Sequence, residues 1–161
     1  MAIIVTGQSE LQALILDLAK WSSRKTVLRT FETGMKPMGK TMAADVRTRV
    51  LATPSKRSVS RRGRRSLRAS IARATKSNTQ QIGDAAILTV QVDPEDMPIE
   101  QGGLPALYEG LEAWIHPVFG HRPMVTQPPH PYFEPATRNA ERDAVEIAEH
   151  CIDIIADDLE G

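Results

Sequence analysis

The chain has 161 residues, 41% hydrophobic and only 4% aromatic, so a modest core must be built from Leu, Ile, Val, Ala and Met within a single domain spanning residues 1–161. Its longest apolar runs, residues 2–5 and 85–88, are too short to cross a bilayer, and the N-terminus lacks the positive region of a secretory leader; a transmembrane span is excluded and a cytoplasmic site of synthesis or assembly is expected. The net charge of zero conceals a strong polarity: residues 46–83 carry eleven Lys/Arg and no acid, whereas residues 84–161 carry three Arg and sixteen Asp/Glu. A chain polarised in this way can present surfaces of both signs, which suits association of identical subunits or docking between unlike neighbours.

Gln8 to Phe31 reads as a helix, with Leu11, Leu14, Ile15 and Leu18 on one apolar stripe. Ser9 and Gln12 have the spacing of a capping box. Thr33-Gly34 and Lys36-Pro37 are expected to interrupt it, because Gly and Pro disfavour helix interiors. A second helix is predicted from Met38 to Leu51, with Met42, Val46 and Val50 recurring at helical spacing. Residues 52–66 have little to bury and carry Arg61-Arg62-Gly63-Arg64-Arg65, so a mobile basic loop is expected. Ile71 to Val92 is the β candidate, with a turn near residues 80–84 and an alternation of Ile87, Thr89 and Gln91 with Leu88, Val90 and Val92.

Asp93 to Pro98 ends that strand. Leu107 to Trp114 has the spacing of a short helix, Leu107, Leu111 and Trp114 sharing a face. Six prolines between His116 and Pro135 preclude a helix or a central strand there, so this stretch is expected to be a proline-rich loop. Ala136 to Leu159 is the clearest helix, with Ala144, Val145, Ala148, Cys151, Ile152, Ile155 and Leu159 as its apolar stripe and acids around its other faces. Cys151 is the single cysteine, which excludes an intramolecular disulfide and predicts a buried, inert thiol.

Little here points to chemistry. His116, His121 and His130 are separated by five and nine residues, match no metal-binding spacing and have no cysteine beside them. No nucleophile elbow is present. Gly34 to Thr41 ends in Gly-Lys-Thr but is one residue short of the phosphate-loop spacing and follows a helical stripe rather than a strand, so it is read as a chance match. Neither a cofactor nor a metal is expected, and the chain is not expected to be an enzyme. The basic segment Arg57 to Arg73 admits three readings: a solvated loop, a protein-docking arm or a nucleic-acid contact. The last would make the chain a small nucleic-acid-binding module, although no aromatic is interleaved for base stacking.

Three blocks, taken together, resemble the tail-completion, or head–tail joining, family of long non-contractile-tailed bacteriophages. They are Gly63 through Ser66-Leu67-Arg68-Ala69-Ser70-Ile71, then Trp114-Ile115-His116-Pro117-Val118-Phe119-Gly120, then Pro129-His130-Pro131-Tyr132-Phe133-Glu134-Pro135-Ala136 before a C-terminal helix. The resemblance implies an α+β subunit, with a long N-terminal helix and a C-terminal helix packed on a small antiparallel sheet. It implies no catalysis. It implies a homo-oligomeric ring, six-fold by expectation, in the virion neck, touching tail-terminator, head connector or stopper and tail-tube proteins around the path of the packaged DNA. The interface residues expected from these blocks are Arg61, Arg62, Arg64, Arg65, Arg68, Trp114, His116, Phe119, Pro131, Tyr132 and Phe133, with the Tyr132-Phe133 pair as a proline-pinned aromatic anchor for a partner's pocket.

Overall fold

The computed structural model describes residues 2–5, 13, 17, 20, 23–54, 66–83, 85–99, 101–110, 112–118 and 121–160, with the backbone alone for 2–5, 116–118 and 121–123. The architecture is α+β: a long helix towards the N-terminus, a C-terminal helix and small antiparallel sheets. The elements are β1 (Ala2–Val5), α1 (Arg24–Ala52), α2 (Leu67–Ala74), β2 (Thr75–Ile82), β3 (Ala85–Val92), a 3-10 turn (Pro94–Asp96), α3 (Leu104–Glu109), β4 (Trp114–Val118), β5 (His121–Gln127), α4 (Glu134–Thr137) and α5 (Ala140–Glu160). They form two compact units, residues 2–44 with 77–91 and 138–161, and residues 45–76 with 92–137.

In the first unit β1 pairs antiparallel with β3, from Ala2 opposite Gln91 to Val5 opposite Leu88, and the sheet order is β1-β3-β2. The period-two pattern of β3 is realised: Ala86, Leu88 and Val90 are buried and the residues between them only partly so. Gly83, at φ 57°, turns the chain between β2 and β3, in a region that costs a residue with a Cβ.

The N-terminal helices differ from expectation. Leu11, Leu14, Ile15 and Leu18 and the capping-box pair Ser9 and Gln12 lie outside the described residues. The chain is non-helical at Ser23, whose hydroxyl accepts from the Thr26 amide at 3.2 Å and starts α1 afresh. From there α1 runs unbroken to Ala52, through Gly34 and Pro37. Packing explains why. A Cβ on Gly34 would lie 2.5 Å from Cys151 Sγ, and one on Gly39 would lie 2.5 Å from Leu88 Cδ1. The two glycines are therefore close-approach points for α5 and β3 rather than helix ends. Pro37 is on the exposed side, where water can serve the carbonyl that loses its amide partner. The Gly34–Thr41 stretch is thus helical throughout and forms no phosphate loop.

Helix α5 buries Ala140, Ala148, Cys151 and Ile155, while Val145 and Leu159 at the ends of its apolar stripe remain 49% and 43% exposed. Cys151 is fully buried and its Sγ lies 3.7 Å from the Thr30 carbonyl. Burial pushes its thiol pKa up.

In the second unit the last turns of α1 bury Val46 and Val50, as the sequence predicts. The expected strand from Ile71 begins later: Leu67–Ala74 is helical, started by Ser66, whose hydroxyl accepts from the Ala69 amide at 3.3 Å. The reason is local, because Leu67–Ala74 has no period of two: its buried residues Ser70, Ile71, Ala72 and Ala74 include three in a row, which a half-buried strand would alternate. Helix α3 covers Leu104–Glu109, so the expected Leu107–Trp114 helix is displaced: Leu107 is exposed and Trp114 opens a strand. Residues 116–135 are not all loop. They supply most of the β4–β5 hairpin, from Trp114 opposite Gln127 to Val118 opposite His121, with a bulge after Pro117. A two-stranded sheet consists of edges only, and prolines are tolerated on edges.

Candidate functional site

The Pro129–Ala136 block is held by a set of backbone and aromatic contacts within the second unit. Its centre is Glu109, the last residue of α3, which is 5% exposed. One carboxylate oxygen accepts from the Tyr132 amide at 2.7 Å and the Phe133 amide at 2.8 Å, and the other accepts from the Glu134 amide at 2.8 Å. Successive N–H groups at the start of a helix form an anion-binding nest, and here a side chain of the same chain fills it. The carboxylate is thereby satisfied although buried, and the nest is not open to a ligand.

Aromatic packing completes the block. Tyr108 lies with its ring centroid 5.5 Å from His130 and 6.1 Å from Tyr132, and Tyr132 meets Phe133 edge-on at 6.5 Å. The His130 amide donates to the Tyr108 carbonyl at 2.7 Å, and the Tyr132 hydroxyl donates to the Pro105 carbonyl at 3.4 Å. Burial raises both phenol pKa values. For Tyr132 the nearby Glu109 charge adds to the rise, whereas Tyr108 is partly offset by a hydrogen bond with Thr53 and by the Arg68 charge.

This geometry corrects the expected role of the aromatic pair. Tyr132 and Phe133 are each 1% exposed, so they anchor the chain's own core and offer no surface to a partner's pocket. Pro131 beside them is exposed. With Arg49, Ala52, Thr53, Pro54, Pro129 and His130 it lines a shallow open cleft.

The basic segment is also used internally where it is described. Arg68 donates to the carbonyls of Leu51 and Thr53, capping the C-terminal end of α1. Arg73 donates to the Asp96 carbonyl at 2.8 Å, and Arg47 to the carbonyls of Ala72 and Thr75 at 3.3 and 2.7 Å. Lys76 bridges Asp93 and Asp96, each at 2.9 Å; its hydrogen bond to Asp93 raises the lysine pKa and lowers the Asp93 pKa. Arg68 is therefore a structural cap of α1. Arg61, Arg62, Arg64, Arg65 and Phe119 lie outside the described residues, as do residues 55–65 of the expected mobile loop. Trp114 is half-buried at the start of β4, and His116 lies on the same strand. Of the expected interface residues, the structure brings Pro131, Tyr132 and Phe133 together around a residue that sequence reasoning missed, Glu109. Its only linear signal is an acid ending an apolar helix, with nothing to pair it with residues 132–134.

Among the described residues, no group of three or more His, Cys, Asp or Glu side chains is placed to hold a metal ion. No helix among them is long and apolar enough to cross a membrane. No protein-family model matches this sequence, and neither a curated protein nor a solved structure matches it.

Proposed function

We propose that the chain is a non-catalytic structural subunit of the neck of a long-tailed bacteriophage. In this reading it forms a ring at the head-proximal end of the tail and joins the tail to the head connector around the DNA path. Its neighbours are copies of itself, the tail terminator, the connector or stopper and the tail tube, and its place is the virion, assembled in the host cytoplasm. The observation that carries the reading is the Pro129–Ala136 block, the most specific of the three sequence resemblances. In this chain it is a clamped strut on Glu109 that leads into the C-terminal helix. A block clamped through its backbone suits a part that must hold its shape under assembly, and its His130 and Tyr132 are occupied in packing against Tyr108.

Charge supports the same reading, since a basic stretch and an acidic stretch of one chain suit head-to-tail contacts between copies. The guanidiniums of Arg47, Arg68 and Arg73 are committed to backbone carbonyls, which weighs against a phosphate-binding role for those three residues. The test is mass by light scattering over a range of concentration and salt, with and without purified tail-terminator protein. A ring or a stable complex is expected. A monomer that ignores its proposed partners at every concentration would refute the reading.

A further inference from the structure

Two exposed helix faces in the first unit are complementary in charge. On α1, the side away from the core carries Lys25, Arg29, Lys36 and Lys40, at i, i+4, i+11 and i+15, all exposed. Lys36 is paired with Glu32 at 2.8 Å, whereas Lys25 and Lys40 are paired with no carboxylate among the described residues. On α5, Glu149, Asp153, Asp157 and Glu160 form an exposed acidic stripe, and none of the four is paired with a base among the described residues. The acidic stripe from Glu149 to Glu160 runs eleven residue steps, about 16 Å, and the stretch of the basic stripe from Arg29 to Lys40 covers the same length, with Lys25 one turn beyond it.

The acidic stripe acts against its own helix. Glu149, Asp153 and Asp157 are like charges at i, i+4 and i+8, and Asp157, Asp158 and Glu160 oppose the macrodipole at the C-terminal end, where no base stands in the last turn. Apolar surface lies beside the stripe, since Val145 and Leu159, seven residues to either side of Ile152, are about half exposed. Beside the basic stripe of α1 stand the small or rigid residues Thr33, Pro37 and Ala44, over which a second helix can approach closely.

We propose that these two faces are the two halves of one subunit contact: the basic face of α1 in one copy seats on the acidic face of α5 in the next. The occupant of each face is a second copy of this chain. The two faces differ, so the contact is heterologous and head-to-tail, and it closes into a ring or extends as a filament according to the rotation per subunit. The inference rests on the assembly reading above and names the surfaces through which it acts.

Two full-length variants and their mixture test it: Lys25→Glu with Arg29→Glu and Lys40→Glu, and Glu149→Lys with Asp153→Lys and Asp157→Lys. Self-association is measured by sedimentation velocity at about 50 and about 500 mM salt, because exposed ion pairs are screened over that range. The wild type is expected to associate at low salt, and each variant to associate at least about tenfold more weakly. The mixture is expected to recover association, because each variant then supplies the face that the other lacks. The acid-to-lysine variant keeps like charges at i, i+4 and i+8 but sets bases toward the C-terminal end of α5, where the macrodipole favours them, and its helix content is checked by far-UV circular dichroism so that loss of assembly is distinguished from loss of fold. Far-UV circular dichroism checks the α1 variant.

Wild-type association that neither variant changes would overturn the helix pairing and leave the assembly reading standing. A wild type that never associates with itself yet binds tail terminator would likewise overturn the pairing alone. Salt-sensitive binding of duplex DNA that the α1 variant abolishes, without self-association, would give the basic face to a nucleic acid and overturn the proposal. A wild type that binds neither itself nor any neck protein would overturn both readings.

Discussion

Replacing Glu109 by Ala is the sharpest perturbation the structure offers. It removes the acceptor of three backbone N–H groups at once, two of them, on Tyr132 and Phe133, in buried hydrogen bonds and the third, on Glu134, in a partly buried one. A buried donor left without a partner costs about 1–3 kcal/mol. The third amide can be reached by water and contributes at the low end, and the vacated space can admit one water to a nest this polar. The expected loss is about 3–6 kcal/mol, a large share of the total stability of a domain this size. Glu109→Gln separates charge from shape. Its amide oxygen can keep the Tyr132 and Phe133 bonds, which share one oxygen, while its NH2 group faces the Glu134 amide as donor against donor. That variant should lose about 1–3 kcal/mol. The assay is urea denaturation followed by circular dichroism and by the fluorescence of the two tryptophans, Trp21 and Trp114, with the midpoint and slope fitted together. An Ala variant within about 1 kcal/mol of wild type would refute the reasoning, because the loss of a charged acceptor from two buried amides and one partly buried amide cannot be that inexpensive.

Gly34→Ala should destabilise by about 1–3 kcal/mol, since its Cβ would lie 2.5 Å from Cys151 Sγ; much of that loss should return in the double variant with Cys151→Ala, as a double-mutant cycle would show. Arg68→Met should cost about 1–3 kcal/mol by leaving the Leu51 and Thr53 carbonyls uncapped, measured by thermal melting, and Arg68→Lys should cost less. The thiol of Cys151 should resist a disulfide reagent in the native protein and react at once in denaturant, because the side chain is fully buried and its pKa is raised. The folded-state pKa of Asp93 is lowered, so its contribution to stability is present above the ordinary aspartate range and is lost as pH falls through the lowered value. Melting temperature should therefore drop on acidification through and below that range, and Asp93→Asn should flatten this part of the profile.

Elements whose burial repeats along the chain were legible in the sequence. The alternation of Ala85–Val92, the stripe of Met42, Val46 and Val50 and the Ala148, Cys151 and Ile155 face of the last helix all follow from the chain's own period against one apolar layer. The polarity of charge was legible too, because it is a property of composition alone. Tertiary structure decided the rest. Gly34 and Pro37 read as a helix break, yet the helix continues because Cys151 and Leu88, more than 45 residues away in sequence, require glycines at Gly34 and Gly39 for close approach. The prolines of residues 117 and 123 read as loop, yet they stand in a hairpin whose strands have, among the described residues, no second neighbour to demand their missing N–H. Tyr132 and Phe133 read as an anchor for a partner and are the chain's own core, held by a carboxylate 23 and 24 residues earlier. Local periodicity reports which side of an element is apolar; which distant backbone a glycine must approach, or which carboxylate a row of amides must meet, is a property of pairs that only folding brings together.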